Sequence, residues 1–380
     1  MALDLNAGEY KIFRDAFKKF IQSEIAPHYE DWEKEGLVPR PVWEKAGDNG
    51  FLCPWVSEEY GGAGAGFEYS VIITEELSRA GTHVFFPLHS DIVVPYIASY
   101  GTPEQKQRWL PGCVSGRIIT AIAMTEPDAG SDLAAIRTTA LPNGDHYVLN
   151  GTKTFISCGI NAGLVLVACK TDPRANPPYK GISLLVVEHG TPGFSRGKKL
   201  DKMGLRSQDT VELVFDDCRV PAENLLGEEG RGFIYLMEKL QQERLICAVM
   251  GQGLAERMLK YTVEYCRSRN IFGKPVASFQ HNAFKLAELA TEVELGRAFL
   301  NSLLEKHLAG ERAVKEVSMA KWWITEMANR VAYHCLQLHG GYGYSGEYPI
   351  CRDYRDVRIF NIFAGTTEVM KAIIAREIGL

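Results

Sequence analysis

The apolar positions of this chain follow three different periods in succession. Up to about Gly116 they read helical. Ile12, Phe13, Phe17, Phe20, Ile21 and Ile25 recur mainly three and four apart, the spacing that places side chains on one face of an α-helix. The run Tyr60-Gly61-Gly62-Ala63-Gly64-Ala65-Gly66 interrupts the pattern. It reads as a plain loop, because no strand pattern precedes it and no crossover unit surrounds it, as a dinucleotide-binding turn requires.

From about 117 to 228 the period shortens. His146–Leu149, Gly163–Ala168, Ile182–Val187 and Val211–Phe215 are short, β-rich segments. Turn residues separate them at Pro142-Asn143-Gly144, Asn150-Gly151 and Thr191-Pro192-Gly193. Short strands at this spacing predict an antiparallel sandwich or barrel, and the lack of long helices between them argues against a doubly wound parallel sheet. From about Gly230 the helical period returns. Leu286, Leu289, Val293, Gly296, Leu300 and Leu303 form one stripe, and Ala320, Ile324, Met327, Val331, Cys335 and Leu338 form another. Helices of this length pack as an antiparallel bundle. The expected fold is therefore mainly α with a β domain: helical over 1–116, antiparallel β over 117–228, and a four-helix bundle over 229–380.

One stripe carries an anomaly. Leu236, Leu240, Glu243, Cys247, Met250 and Leu254 alternate spacings of four and three, so all six share a face, and one of them is a carboxylic acid. Burial raises a carboxyl's pKa toward the working range of a general base. A purely structural reading pairs Glu243 with Arg244 or with a neighbouring helix.

Composition narrows the classes. The chain has 380 residues, 46% of them apolar, and a net charge of −5, so a large core is available and no basic patch calls for nucleic acid. No apolar run is long enough to span a membrane. Met1–Tyr10 is polar and lacks the basic start and apolar stretch of a secretory signal, which points to a cytoplasmic location. The nine cysteines are scattered and form no C-x-x-C pair. Neither a zinc site nor a disulfide framework is expected; reduced, buried thiols are.

Four motifs stand in order along the chain: Thr125-Glu126-Pro127-Asp128-Ala129-Gly130-Ser131-Asp132, Arg269-Asn270-Ile271-Phe272-Gly273-Lys274, Gln337-Leu338-His339-Gly340-Gly341-Tyr342-Gly343-Tyr344 and Ala364-Gly365-Thr366-Thr367-Glu368. Together they make the chain resemble the acyl-CoA dehydrogenase family over essentially its whole length. The C-terminal third is most similar to the long-chain and isovaleryl subgroup. The resemblance implies the same three-part fold, a homotetramer, and FAD lying between domains near a subunit boundary. It implies an acyl-CoA substrate in fatty or organic acid degradation, and an electron-transferring flavoprotein as acceptor.

Site residues follow from the same resemblance. Ile122, Met124, Thr125, Gly130 and Ser131 would meet the polar edge of the flavin, with Ser131 also touching the CoA moiety. Phe155 and Ser157 stand where the family usually has Trp-Ile-Thr or Trp-Ile-Ser; the aromatic would cover the flavin face and the hydroxyl would bond its edge. Arg269 and Gln280 would hold the pyrophosphate and adenine half, from a neighbouring subunit. Gln337, Gly340 and Gly341 would let a backbone approach the pyrophosphate. Thr366, Thr367 and Glu368 would open a helix whose first amides favour an anion. Gln241, Arg244, Ala364 and Gly365 would contact the substrate.

The family places its catalytic glutamate either just before the Gly-Thr of the last motif, where this chain has Ala364, or in a Glu-Arg-Leu context on a bundle helix, where it has Glu243-Arg244-Leu245. Both lines of reading therefore meet at Glu243. The implied reaction is removal of an α-proton by Glu243 and of a β-hydride by flavin N5, with the thioester carbonyl held by a backbone N–H near Ala364. Asp91, amid Phe85–Val94, is a second candidate base. It would serve relatives that act on cyclic alkenyl-CoA thioesters such as cyclohex-1-ene-1-carboxyl-CoA; alternatively, it caps a helix beginning near Ile92. An oxidase and a catalytically silent FAD-binding paralogue remain as other readings of the same scaffold.

Overall fold

The computed structural model describes residues 5–380. Six helices come first: α1 (Gly8–Phe20), α2 (Tyr29–Glu35), α3 (Arg40–Asp48), α4 (Phe67–Ala80), α5 (Val94–Tyr100) and α6 (Pro103–Val114). The stripe read at the N-terminus buries Phe17, Phe20, Ile21 and Ile25, and the chain continues from α1 into a π-helical turn over Ile21–Ile25. Ile12 departs from the reading: it is 73% exposed, on the far side of α1. The glycine-rich run is the loop before α4.

Seven strands follow: β1 (Thr120–Ala123), β2 (Thr139–Asn143), β3 (His146–Ser157), β4 (Leu164–Lys170), β5 (Ile182–Glu188), β6 (Phe194–Lys199) and β7 (Thr210–Pro221). They form one sheet in the order β1-β4-β2-β3-β7-β6, with β5 on β4. The pairs β2–β3, β3–β7, β4–β5 and β6–β7 are antiparallel, as expected. β1 runs parallel to β4 and β2 touches it in parallel at one position, so the sheet is mixed. The β2–β3 hairpin lies between β1 and β4 in sequence and supplies the long crossover that a parallel pair needs. Asn150-Gly151 makes no turn. β3 runs through it with a bulge, and Gly151 takes a φ of 149° where a Cβ would stand 2.4 Å from Thr138 Oγ1. The Asn150 side chain instead bonds Asp217 of β7.

The rest is helical: α7 (Gly232–Ser268), α8 (Gln280–Leu308), α9 (Val314–His339), α10 (Pro349–Val357) and α11 (Thr367–Glu377). A two-stranded hairpin, β8 (Asn270–Ile271) and β9 (Lys274–Pro275), joins α7 to α8. The α8 stripe is buried throughout, and α9 buries all of its stripe but Leu338. α7 is exceptional, since every residue from 243 to 255 is buried. A helix covered on all sides sits at the centre of a fold rather than on its surface. Here α4, α8, α9 and α10 surround it. The anomalous stripe therefore lies in the interior of the molecule.

Candidate active site

Glu243 is 8% exposed, and its Oε2 is buried without a hydrogen-bond partner. Burial pushes its pKa up to about 7; Arg244 and Lys321 pull the other way without cancelling the effect. Arg244 does not clamp it, because adjacent residues on a helix do not face each other. The Arg244 Nε is itself unpartnered and lies toward the turn before α11, 3.9 Å from where a Cβ on Gly365 would stand. Tyr96, on α5, brings a third unpartnered polar atom close to Glu243, its phenol oxygen. Three orphaned polar atoms in one interior spot are costly unless a ligand supplies their partners.

The turn before α11 is strained. Ala364 has a φ of 54° and Gly365 a φ of 95°. A non-glycine residue in that region costs on the order of 1–3 kcal/mol, and such strain gathers at functional sites. Lys321 of α9, fully buried, donates its ammonium to the Gly365 carbonyl at 2.5 Å. Thr366 caps α11 by accepting from the Val369 amide, and Thr367 donates to Glu326. Glu368 is exposed beside this cap.

Asp91 is 2% exposed, with Oδ1 unpartnered, and burial raises its carboxyl to about 7 against partial relief from Ser70 and Trp55. It is not a helix cap. A π-helical turn over Leu88–Val93 runs directly into α5, so residue 91 lies inside a continuous helical run, and α5 has no side-chain cap. Such turns are uncommon and gather at functional sites. Gln242, next to Glu243, donates to the Asp91 carbonyl at 2.6 Å and ties the two segments together. Gln241 points elsewhere: its amide bonds Glu311 and Ala313 in the α8–α9 connection.

The loop leaving β1 forms the wall on the β side. Ile122, Met124 and Thr125 are half-buried, and Gly130 and Ser131 are exposed. Lys153, fully buried on β3, donates to the Met124 carbonyl and to Glu126, whose carboxylate also accepts from the Arg137 and Thr138 amides. A bulge between Lys153 and Ile156 gives Phe155 a φ of 59° and leaves it 68% exposed, while Ser157 is half-buried. A bulge of this kind re-aims a side chain out of the sheet. Phe155 is thus an aromatic platform beside the loop.

The remaining predicted residues lie elsewhere. Arg269, Gln337, Gly340 and Gly341 line an open cleft of about 1090 Å³ at the far end of α7, with the Arg269 guanidinium 5.3 Å over the Tyr342 ring. Gln280 stands exposed at the start of α8, and the cleft is lined there by the next two residues, His281 and Asn282. A Cβ on Gly340 or Gly341 would meet nothing within 4 Å, so both glycines face empty space. Sequence reasoning missed Lys153, Lys321, Tyr96 and Gln242. Lys321 had a signal, for it sits four after Val317 and three before Ile324, both buried.

Three family models match the chain in order: the N-terminal domain of acyl-CoA dehydrogenases over residues 8–117, the middle domain over 121–218 and the C-terminal domain over 230–379. The chain belongs to the acyl-CoA dehydrogenase family. It is 48% identical over 373 residues to the long-chain specific acyl-CoA dehydrogenase of Rattus norvegicus, covering 98% of this chain and 87% of that protein. It is 39% identical to the isovaleryl-CoA dehydrogenase of Oryza sativa, covering 96% of this chain and 90% of that one. The crystal structure of an acyl-CoA dehydrogenase from Geobacillus kaustophilus superposes with a TM-score of 0.99 at 61% identity, over the whole of both chains. Acyl-CoA dehydrogenases are flavoproteins and enzymes that act on CH–CH bonds of acyl-CoA thioesters. Among the described residues, no helix is long and apolar enough to cross a membrane.

Proposed function

We propose that this protein is an FAD-dependent acyl-CoA dehydrogenase in which Glu243 removes the α-proton of the thioester. The observation that carries the reading is the buried Glu243 carboxyl with Oε2 unpartnered, linked through Lys321 to the strained Ala364–Gly365 turn. A general base works best when the pKa of its conjugate acid lies near the working pH, and a carboxyl lifted to about 7 meets that condition near neutral pH. The backbone amide at Ala364 would hold the thioester carbonyl and stabilise the negative charge that grows there as the proton leaves. Burial excludes water from the carboxylate and strengthens both interactions.

The residues present fit FAD. Gly340 and Gly341 leave open the space that side chains would fill, and Arg269 offers a planar donor fork for a phosphate. Phe155 and Ser157 with the Ile122–Ser131 loop would hold the flavin ring, and Thr366–Glu368 would add the first amides of α11. FAD, when bound, supplies the acceptor for the β-hydride. From Glu243 to Arg269, α7 rises about 39 Å at about 1.5 Å per residue, farther than one dinucleotide reaches. The cleft would therefore serve the flavin of a second subunit, which supports an oligomer; a homotetramer rests on family membership.

The division into units over 1–116, 117–228 and 229–380 rests on the change from helix to strand between Val114 and Thr120, and back between Pro221 and Gly232. The electron-transferring flavoprotein acceptor and the degradative role rest on family membership. A cytoplasmic location rests on nine free cysteines, eight of them buried.

A second reading has its own observation: Asp91, buried with Oδ1 unpartnered, would act as base toward a cyclic alkenyl-CoA. Anaerobic titration of the yellow protein with linear, branched, aromatic and alicyclic acyl-CoA compounds tests both readings. Bleaching by a saturated compound is expected. Bleaching by none of them sinks both readings and leaves a silent paralogue, and rapid reoxidation by air marks an oxidase.

A further inference from the structure

We propose that Lys321 is a positioning residue for this reaction, holding the Ala364–Gly365 turn in place while presenting its positive charge to Glu243. The inference rests on the dehydrogenase reading above. Lys321 is fully buried in α9, yet among the described residues no carboxylate lies within ion-pair distance of it. Among the described residues its ammonium has one hydrogen bond, to the Gly365 carbonyl at 2.5 Å. A structural lysine in the same protein is built differently: Lys153 is held directly by the Glu126 carboxylate. Burying an ammonium against one neutral carbonyl leaves most of its charge uncompensated, and that charge is available to whatever faces it.

The groups facing it are Glu243, Arg244 and Cys247 of α7 and Glu326 of its own helix. Tyr96 of α5 and Arg244 also act on Glu243. Among these, Lys321 is the cation that touches the strained turn, so one side chain couples two parts of the site. Its bond to the Gly365 carbonyl anchors the Gly365–Thr366 end of the strained turn whose Ala364 amide would hold the thioester carbonyl. Its charge favours the ionised form of the base, even though burial lowers its own pKa to about 8. At neutral pH it remains mostly protonated, so the charge is present when the base must work.

The test replaces Lys321 by Met, Gln and Arg in the full-length flavoprotein. An acyl-CoA analogue with sulfur in place of the β-carbon can lose its α-proton but no hydride, so its long-wavelength band with the oxidised flavin reports proton removal alone. Titrating that band against pH reads the base directly, without turnover. In Lys321→Met and Lys321→Gln the apparent pKa of proton removal is expected to rise by about one unit, since removing a cation disfavours the carboxylate. At pH 7, kcat should fall about tenfold or more, as expected when a stabilising amide is misplaced, with KM changing less than about threefold. Lys321→Arg, which keeps the charge, should restore the titration toward the wild-type curve. An unmoved titration in both neutral variants overturns the proposal, and so does failure of both to fold with flavin, which would make Lys321 a structural lysine. Failure of the underlying reading looks different: the wild-type protein itself would not bleach.

Discussion

Lys153 donates to Glu126 at 2.8 Å, and the pair ties β3 to the loop that leaves β1. Lys153 is fully buried and Glu126 is 6% exposed. Desolvation pulls the Lys153 pKa down, partly offset by Glu126; Glu126 itself is held below the usual range because Lys153 and the Thr138 and Arg137 amides outweigh its burial. The same ammonium holds the Met124 carbonyl, so the pair shapes the wall proposed for the flavin edge. Removing one member leaves the other charged and buried. Lys153→Met should therefore lower stability by about 3–5 kcal/mol and lower flavin content with it. Adding Glu126→Gln should recover part of that loss, because it removes the stranded charge. Urea unfolding of the two variants decides the matter, and a double variant no more stable than the single one would refute the account.

The acid limb of catalysis should belong to Glu243. Its carboxyl is lifted to about 7 by burial, so the base is protonated and inactive well below that pH. The rate of anaerobic bleaching by a saturated acyl-CoA should rise with pH through about 7 and then level off. Glu243→Gln, which keeps the shape but cannot take a proton, should slow bleaching by at least about 100-fold. Stopped-flow measurement checks both points. Bleaching at a wild-type rate in the variant would reject Glu243 as base.

Asp91 should reveal itself in stability. Its folded pKa is raised to about 7 from an ordinary 3.8, so between those values the folded chain keeps a proton that the unfolded chain has released. Stability contributed by this group is full below about pH 4 and falls as pH rises toward 7. Above that, the folded state bears a buried, unpaired charge. Asp91→Asn should therefore melt higher than wild type at pH 8, by about 2 °C or more, and no higher at about pH 4. A constant difference between the two pH values would mean that the carboxyl is not buried as described. The comparison must be made between variant and wild type, because Glu243 and Asp356 are raised to about 7 as well and share the trend.

Much of this was legible in the chain because burial imposes periodicity. The α7 stripe gave Glu243 away, since a carboxyl at an apolar register position stands out. Lys321 carried the same signal between Val317 and Ile324, but a lysine snorkels so readily that its position on a stripe is weaker evidence than a glutamate's. Other features left no periodic trace. β6 has the sequence Phe-Ser-Arg-Gly-Lys-Lys and is largely exposed at the sheet edge, so no alternation marks it. The bulge at Gly151 looks in sequence like a turn, because both need a glycine conformation. Asp91 looked like a cap because short polar residues favour helix starts. The π-helical turn that encloses it depends on how α5 meets the preceding segment, which no local composition encodes.

The cleft glycines offer the sharpest test of where the dinucleotide sits. Gly341 has ordinary backbone geometry and open space where a side chain would begin, so a larger residue there costs the fold little. Gly340, with a φ of 59°, would add backbone strain and confuse the result. Gly341→Leu should therefore fold with a melting temperature close to that of the apoprotein, yet project its side chain into the cleft that Arg269 and Gln337 line. Flavin affinity should fall by at least about tenfold, a loss of about 1.4 kcal/mol, and the purified protein should be pale. Because the cleft lies about 39 Å along α7 from Glu243, a variant that loses flavin does so without disturbing the base, and subunit assembly should weaken with it. Fluorescence titration with FAD and sedimentation of the same samples give the two readings. Full flavin occupancy in a well-folded Gly341→Leu protein would move the dinucleotide out of this cleft.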